Sequence, residues 1–153
     1  MFQEICDESL LREYWQDEQT YPQWYRDANN AWTRTWEEHL DFCRSCWRIY
    51  ANENSLVYVE SNGDLHIAIR RSIKLDGERF NRRDLAMLRD ELFKDFAFLH
   101  GWINSRNWGL KRLFSELGFR DTGFTMYKGF SHGKLLRWNC YVNKANSDII
   151  VNN

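Results

Sequence analysis

The chain has 153 residues, of which 43% are hydrophobic, 25 are aromatic (8 Trp, 7 Tyr, 10 Phe) and one is Pro. Such a composition excludes a disordered chain, and at this length one domain burying roughly 70% of its unfolded surface is expected. The 21 Lys+Arg against 22 Asp+Glu leave a formal charge of −1, which excludes a broadly basic surface of the kind that gathers nucleic acid.

Charge is nevertheless segregated. Residues 1–20 carry six acidic side chains and one basic one, Arg12, whereas residues 70–84 carry six Arg/Lys and three Asp/Glu. Apolar runs are broken within a few residues, and Met1-Phe2-Gln3-Glu4 lacks the basic start and apolar stretch of an export signal, so neither a membrane span nor secretion is expected. Cys6, Cys43, Cys46 and Cys140 are too few for a secreted disulfide scaffold, which implies a soluble, cytoplasmic protein. Without a linker, low-complexity tract or repeat, the expectation is a single domain over 1–143 followed by a polar, flexible tail over 144–153.

In chain order, Phe2 to Cys6 is short enough for a strand, and Asp7 or Ser9 can cap a helix that places Leu10, Leu11, Tyr14 and Trp15 on one face. After Pro22, the residues Trp32, Trp36, Leu40, Cys43 and Trp47 recur every three or four positions, predicting a second helix capped by Asn29 or Asn30. Periodicity then shifts to β-branched and aromatic runs. Trp47–Tyr50, Leu56–Val59 and Leu65–Ile69 read as three antiparallel strands, the last two joined at Asn62-Gly63, a strong hairpin signal.

A third helix is predicted from Asn81 and Asp84, with Leu85, Leu88, Leu92 and Phe96 inward. Ala97 to Ile103 follows as a strand. Asn104 or Ser105 then opens a fourth helix with Leu110, Leu113, Phe114 and Leu117 inward, and Gly118 is placed for a left-handed ending. Phe124–Tyr127 and Leu135–Val142 are the last two strands. The predicted class is α/β with a mixed sheet, in the order β-α-α-β-β-β-α-β-α-β-β.

That order resembles the GNAT N-acetyltransferase fold, and one segment sharpens the likeness. In Asn107-Trp108-Gly109-Leu110-Lys111-Arg112-Leu113-Phe114-Ser115-Glu116-Leu117-Gly118-Phe119, an Asn at a helix start lies eleven residues before the Gly of a Gly-Phe pair, with a strand following. The late GNAT motif has this form. The chain also resembles small, aromatic-rich GNAT-like proteins carried by bacteriophages, for which the setting would be the host cytoplasm.

The resemblance implies acetyl-CoA as cofactor, lying where the fourth and fifth strands splay. Its pyrophosphate would sit near Lys74, Gly77 and Arg79, and its pantetheine arm near Ile103 and Asn107, with Phe114 on the fourth helix lining the cleft. Two positions depart from the family pattern. Arg79 stands where the phosphate loop has Gly or Ala, with Asp76 and Glu78 beside it, so Arg71, Lys74, Arg79, Arg82 and Arg83 would meet phosphates through side chains rather than backbone amides. Phe114 stands where many members have a Tyr that protonates the leaving thiolate, a role a phenyl ring cannot fill; Tyr127 and Tyr141 are distant alternatives.

For the base, Glu60, His66 and His100 lie on or beside central strands, and Glu60 and His100 rank first because each is close to a strand end. Each feature has a plainer reading: a packed imidazole for His100, a solvated helix start for the arginines, a local cap for Asn107, and core for most tryptophans, with Trp102 and Trp108 beside the cleft. Cys43-Arg44-Ser45-Cys46 with His39 has metal-like spacing but no second ligand pair, and Cys43 falls on the apolar stripe. A buried thiol and no metal are expected there.

Two function classes follow. One is an enzyme transferring acetyl from acetyl-CoA to an amine acceptor. The other is a GNAT-fold protein without catalysis, binding a protein partner such as a host factor or packing in a virion. A nucleic-acid binder using the arginine-rich third helix is disfavoured by the interleaved acids.

Overall fold

The computed structural model describes residues 1–17, 34–70, 82–104, 108–128 and 131–139. In chain order the elements are β1 (Gln3–Glu4), α1 (Glu8–Gln16), α2 (Trp36–Ser45), β2 (Arg48–Ala51), β3 (Ser55–Val59), β4 (Asp64–Ile69), α3 (Arg82–Leu92), β5 (Phe98–Asn104), α4 (Trp108–Glu116), β6 (Arg120–Lys128) and β7 (Ser131–Asn139). The predicted α/β order and mixed sheet are thus present. No helix among these residues is long and apolar enough to cross a membrane.

The strands form one sheet in the order β1-β2-β3-β4-β5-β7-β6. Every neighbouring pair is antiparallel except β4 and β5, which run parallel. Side chains alternate across a strand, so the sheet feeds two cores. Val57, Val59, Leu65, Leu99 and Ile103 face α3 and α4, meeting Leu85, Leu88, Leu92, Leu113, Phe114 and Leu117. Ile49, Ala51, Leu56, Tyr58 and Ala68 face α1 and α2, meeting Leu11 and Cys43.

Local chemistry sets the helix ends. Asp7 caps α1, its Oδ1 accepting from the Ser9 amide at 2.9 Å. The α2 start differs from expectation. It is capped by Thr35, not Asn29 or Asn30, which lie outside the described residues; Thr35 Oγ1 accepts from the Glu38 amide at 3.2 Å and Glu38 Oε1 from the Thr35 amide at 2.9 Å. This reciprocal box satisfies two donors that a new helix leaves orphaned. Because α2 ends at Ser45, Trp47 leaves the predicted stripe and stands edge-on to Phe96, ring centroids 4.9 Å apart, against the other core. Phe96 itself lies beyond α3, which ends at Leu92.

The residue that takes the stripe's centre is His39, 1% exposed. Its imidazole stacks on Trp15 at 4.7 Å and meets Tyr58 edge-on at 5.5 Å, and Cys43 Sγ and Tyr58 Oη each lie 3.4 Å from its Nε2. Burial holds His39 neutral, lowering its pKa to about 4, and pushes the thiols of Cys43 and Cys46 up to about 12. Cys43 is buried, in keeping with the apolar reading of that position.

α4 ends as Gly118 predicts. Gly118 has φ 102, its amide bonds Ser115 O at 2.9 Å, and the Phe119 amide reaches back to Phe114 O at 2.9 Å. The rings of Phe114 and Phe119 then meet at 4.7 Å, the apolar contact that accompanies this helix ending. Arg89 of α3 donates from Nη1 to Leu117 O at 2.7 Å, tying the two helices at the same point.

Candidate active site

The β4–β5 seam is short. The two strands register at Asp64–His100 and Leu65–Gly101, whereas β4 continues to Ile69 and β5 to Asn104. Beyond Leu65 and Gly101 the strands part, opening a V toward their C-terminal ends. Ile67 and Ile69 line one arm on the α3/α4 side, and Ile103, 1% exposed, lies on the other. Phe114 lies under the β5 side: a Cβ built on Gly101 would come within 2.5 Å of Phe114 Cε2 and 3.4 Å of Cζ. Gly101 is therefore glycine because an aromatic ring lies close against its α-carbon. Beneath β4 a cavity of about 10 Å³, lined by Leu65, Ile67, Leu88, Phe114 and Phe119, is just large enough for one water and is almost wholly apolar.

The opposite face of the seam is polar. By the same alternation Asp64, His66 and His100 point toward α2, and the ring of Phe42 stands edge-on to His66 at 5.2 Å. Glu60 sits across the β3–β4 turn. That turn is a three-residue loop, closed by Gly63 N to Glu60 O and Glu60 N to Asp64 O, each at 2.9 Å, with Gly63 at φ 89. A type I turn followed by a left-handed glycine gives this geometry. Asn62 Oδ1 accepts from the Asp64 amide at 2.9 Å, and the His100 amide donates to Gly63 O at 2.9 Å, fastening the turn to β5.

The result is a compact group. Glu60 Oε2 lies 2.6 Å from His66 Nε2, with side chains 34% and 23% exposed. Asp64 Oδ1 is enclosed and, among the described residues, has no hydrogen-bond partner. Burial raises the Asp64 pKa; His66 pulls it down, Glu60 pushes it up, and His100 again pulls it down.

Of the residues singled out in the sequence, Glu60, His66 and His100 thus gather at the paired end of the seam, and Ile103 and Phe114 line its other face. Tyr127 lies on β6 opposite His132 of β7, away from the seam in strand order. Lys74, Gly77, Arg79 and Asn107 fall outside the described residues. Trp102 is half-buried on β5, registered with Leu135. Asp64 was missed: an acid beside Asn-Gly reads as turn chemistry. The signal available was its i, i+2 spacing from His66, which puts both on one face of a strand.

A second cavity, about 160 Å³, lies between β1, α1, α2 and β2 and is lined by Cys6, Leu11, Cys43, Cys46 and Ile49. Arg44 bridges it by pairing with Glu8 at 2.8 and 3.0 Å. The thiols of Cys43 and Cys46 are poor nucleophiles at the pKa that burial gives them.

Neither a family model nor a curated protein matches this sequence. Solved structures do match in fold. Spermidine N-acetyltransferase from Vibrio cholerae, determined with CoA and spermine, is 13% identical over 91% of this chain and 94% of its own, with a TM-score of 0.64. An N-acetyltransferase from Staphylococcus aureus Mu50 is 12% identical over 92% and 97%, TM-score 0.65. A domain from Methanocaldococcus jannaschii is 18% identical over 91% and 97%, TM-score 0.60. With the splayed parallel seam and the strand order, these likenesses give the chain the fold of the GNAT N-acetyltransferases.

Proposed function

We propose that the chain is an acyltransferase that moves an acetyl group from acetyl-CoA to an amine. The observation that carries the reading is the two-rung β4–β5 seam that opens into a V, in a fold whose solved relatives include acetyltransferases, one of them bound to CoA and spermine. Acetyl-CoA supplies an activated thioester carbonyl. The chain's part is to hold that carbonyl in the V between Ile67, Ile103 and Phe114 while the amine arrives from the α2 face. There Glu60, Asp64 and His66 hold the ammonium form, and the Glu60–His66 pair takes its proton before the nitrogen attacks. A C–N bond forms, the C–S bond breaks, and the thiolate leaves while the acetylated nitrogen gives up its second proton to solvent. Positioning two substrates across one seam supplies much of the acceleration on its own.

The test is the unfolding midpoint with millimolar acetyl-CoA, followed by CoA release with spermidine or a lysine peptide as acceptor. A ligand at 100 times its Kd stabilises a fold by about 2.7 kcal/mol. Phe114→Tyr places a hydroxyl at Cζ, beside Gly101 at the apex of the V, and is expected to raise turnover about tenfold or more, the lower part of what a positioned acid contributes. The second reading, a binding protein without turnover, is favoured by Phe114 itself, 2% exposed and lacking a proton to give. No acetyl-CoA shift, with no CoA release by parent or Phe114→Tyr, decides for it.

A further inference from the structure

Among the described residues, one group of three side chains brings metal-ligating atoms within 4.8 Å of one another: Glu60, Asp64 and His66. The backbone fixes all three. Glu60 and Asp64 are held on either side of the turn by the Glu60 N to Asp64 O bond, and His66 follows two residues on, on the same face of β4, registered with Tyr58 of β3.

Two observations point to a cation. Asp64 Oδ1 is enclosed, with no donor among the described residues, and a buried acceptor left unpaired is costly, the more so when charged. Glu60 Oε2 and His66 Nε2 lie within hydrogen-bond distance at 2.6 Å, and both are atoms of kinds that bind divalent transition ions. We propose that this cluster is a binding site for a divalent first-row transition ion, with Zn²⁺ its best occupant. The ion takes the place of the hydrogen between Glu60 Oε2 and His66 Nε2, so the metal-loaded form and the ammonium-binding form of this site exclude each other. His66 Nε2 and one oxygen each of Glu60 and Asp64 bind it at about 2.0–2.2 Å, the proton leaves to solvent, and water completes the coordination.

Charge and donor type agree. Two carboxylates and a neutral imidazole balance a dication, and the imidazole selects transition ions over Mg²⁺ and Ca²⁺, which favour all-oxygen sites. Cys43 and Cys46 belong to α2 and its C-terminal end and are no part of the set.

The site is tested by calorimetric titration of the full, reduced chain with ZnCl₂. One site is expected, with proton release that shows as a dependence of the apparent heat on the buffer's ionisation enthalpy. Asp64→Asn and His66→Gln are each expected to weaken binding tenfold or more, and Cys43→Ser with Cys46→Ser to leave it unchanged. Each variant's cooperative unfolding without metal shows that it is folded. Independently of any variant, Co²⁺ bound to the parent is expected to show visible ligand-field bands without a near-ultraviolet thiolate band. No binding, undiminished binding in both Asp64→Asn and His66→Gln, or a thiolate band with Co²⁺ overturns the proposal.

Discussion

Gly63→Ala is expected to cost about 3 kcal/mol of folding stability, on the order of 10 °C in midpoint for a chain of this length. Two causes add. The residue sits at φ 89, where a side chain is strained, and a Cβ there would collide with the carbonyl oxygen of Phe98 on β5. Neither can relax cheaply, because the Gly63 carbonyl is itself held by the His100 amide at 2.9 Å. Gly63→Asn separates the causes, since Asn accepts the left-handed region yet still carries the Cβ. If the collision dominates, both substitutions lose nearly the same stability in urea unfolding. A loss below about 1 kcal/mol for Gly63→Ala would show that the turn is not pressed against β5.

Acid is expected to weaken the fold through His39. In the unfolded chain an imidazole takes its proton near pH 6.5, whereas in the fold His39 stays neutral down to about 4. Between these values the unfolded state binds more protons, so stability is full above about pH 6.5 and falls as pH drops toward 4. Two to three pH units correspond to about 3 kcal/mol. Asp64 acts in the opposite sense, because a carboxyl whose pKa is raised by folding favours the folded state in acid. The contribution of His39 is therefore read as a difference: His39→Phe keeps a flat ring against Trp15 and removes the titration. Urea midpoints measured from pH 7 to pH 4.5 should fall less steeply in that variant than in the parent. Parallel curves would exclude His39 as the acid-sensitive group.

Much of the architecture was legible because its signals are local. Asn62-Gly63 marks a turn whatever packs around it, and Gly118 ahead of an aromatic marks a helix end whose closing contact is the Phe114–Phe119 pair. The start of α2 was misplaced because Asn29, Asn30 and Thr35 all belong to capping types. Thr35-Trp36-Glu37-Glu38 carries the fuller box, and that pattern should have decided the matter. The buried place of His39 was not legible, since the reading of the Cys-x-x-Cys spacing placed only Cys43 in the core and gave His39 no role. Glu60 and His100 were found from their nearness to strand ends. Asp64 was within reach of the same local reasoning, two residues from His66 on one face of β4, whereas the meeting of His100 with them depends on how β4 is aligned with β5, a non-local fact that no window of sequence contains.

The sheet is in effect two antiparallel blocks joined by one seam. In the first, β2, β3 and β4 are joined by hairpins, so their contacts are close in sequence; the second, β5, β7 and β6, contains the β6–β7 hairpin. Hairpins close in microseconds, whereas the seam must wait for the chain between Asp64 and His100 to be gathered. The order of assembly then runs from the blocks inward, with the polar cluster at the seam completed last. Pulse-labelled hydrogen exchange should find the His100 amide, which bonds Gly63 O, protected later than the amides within β3 and β4.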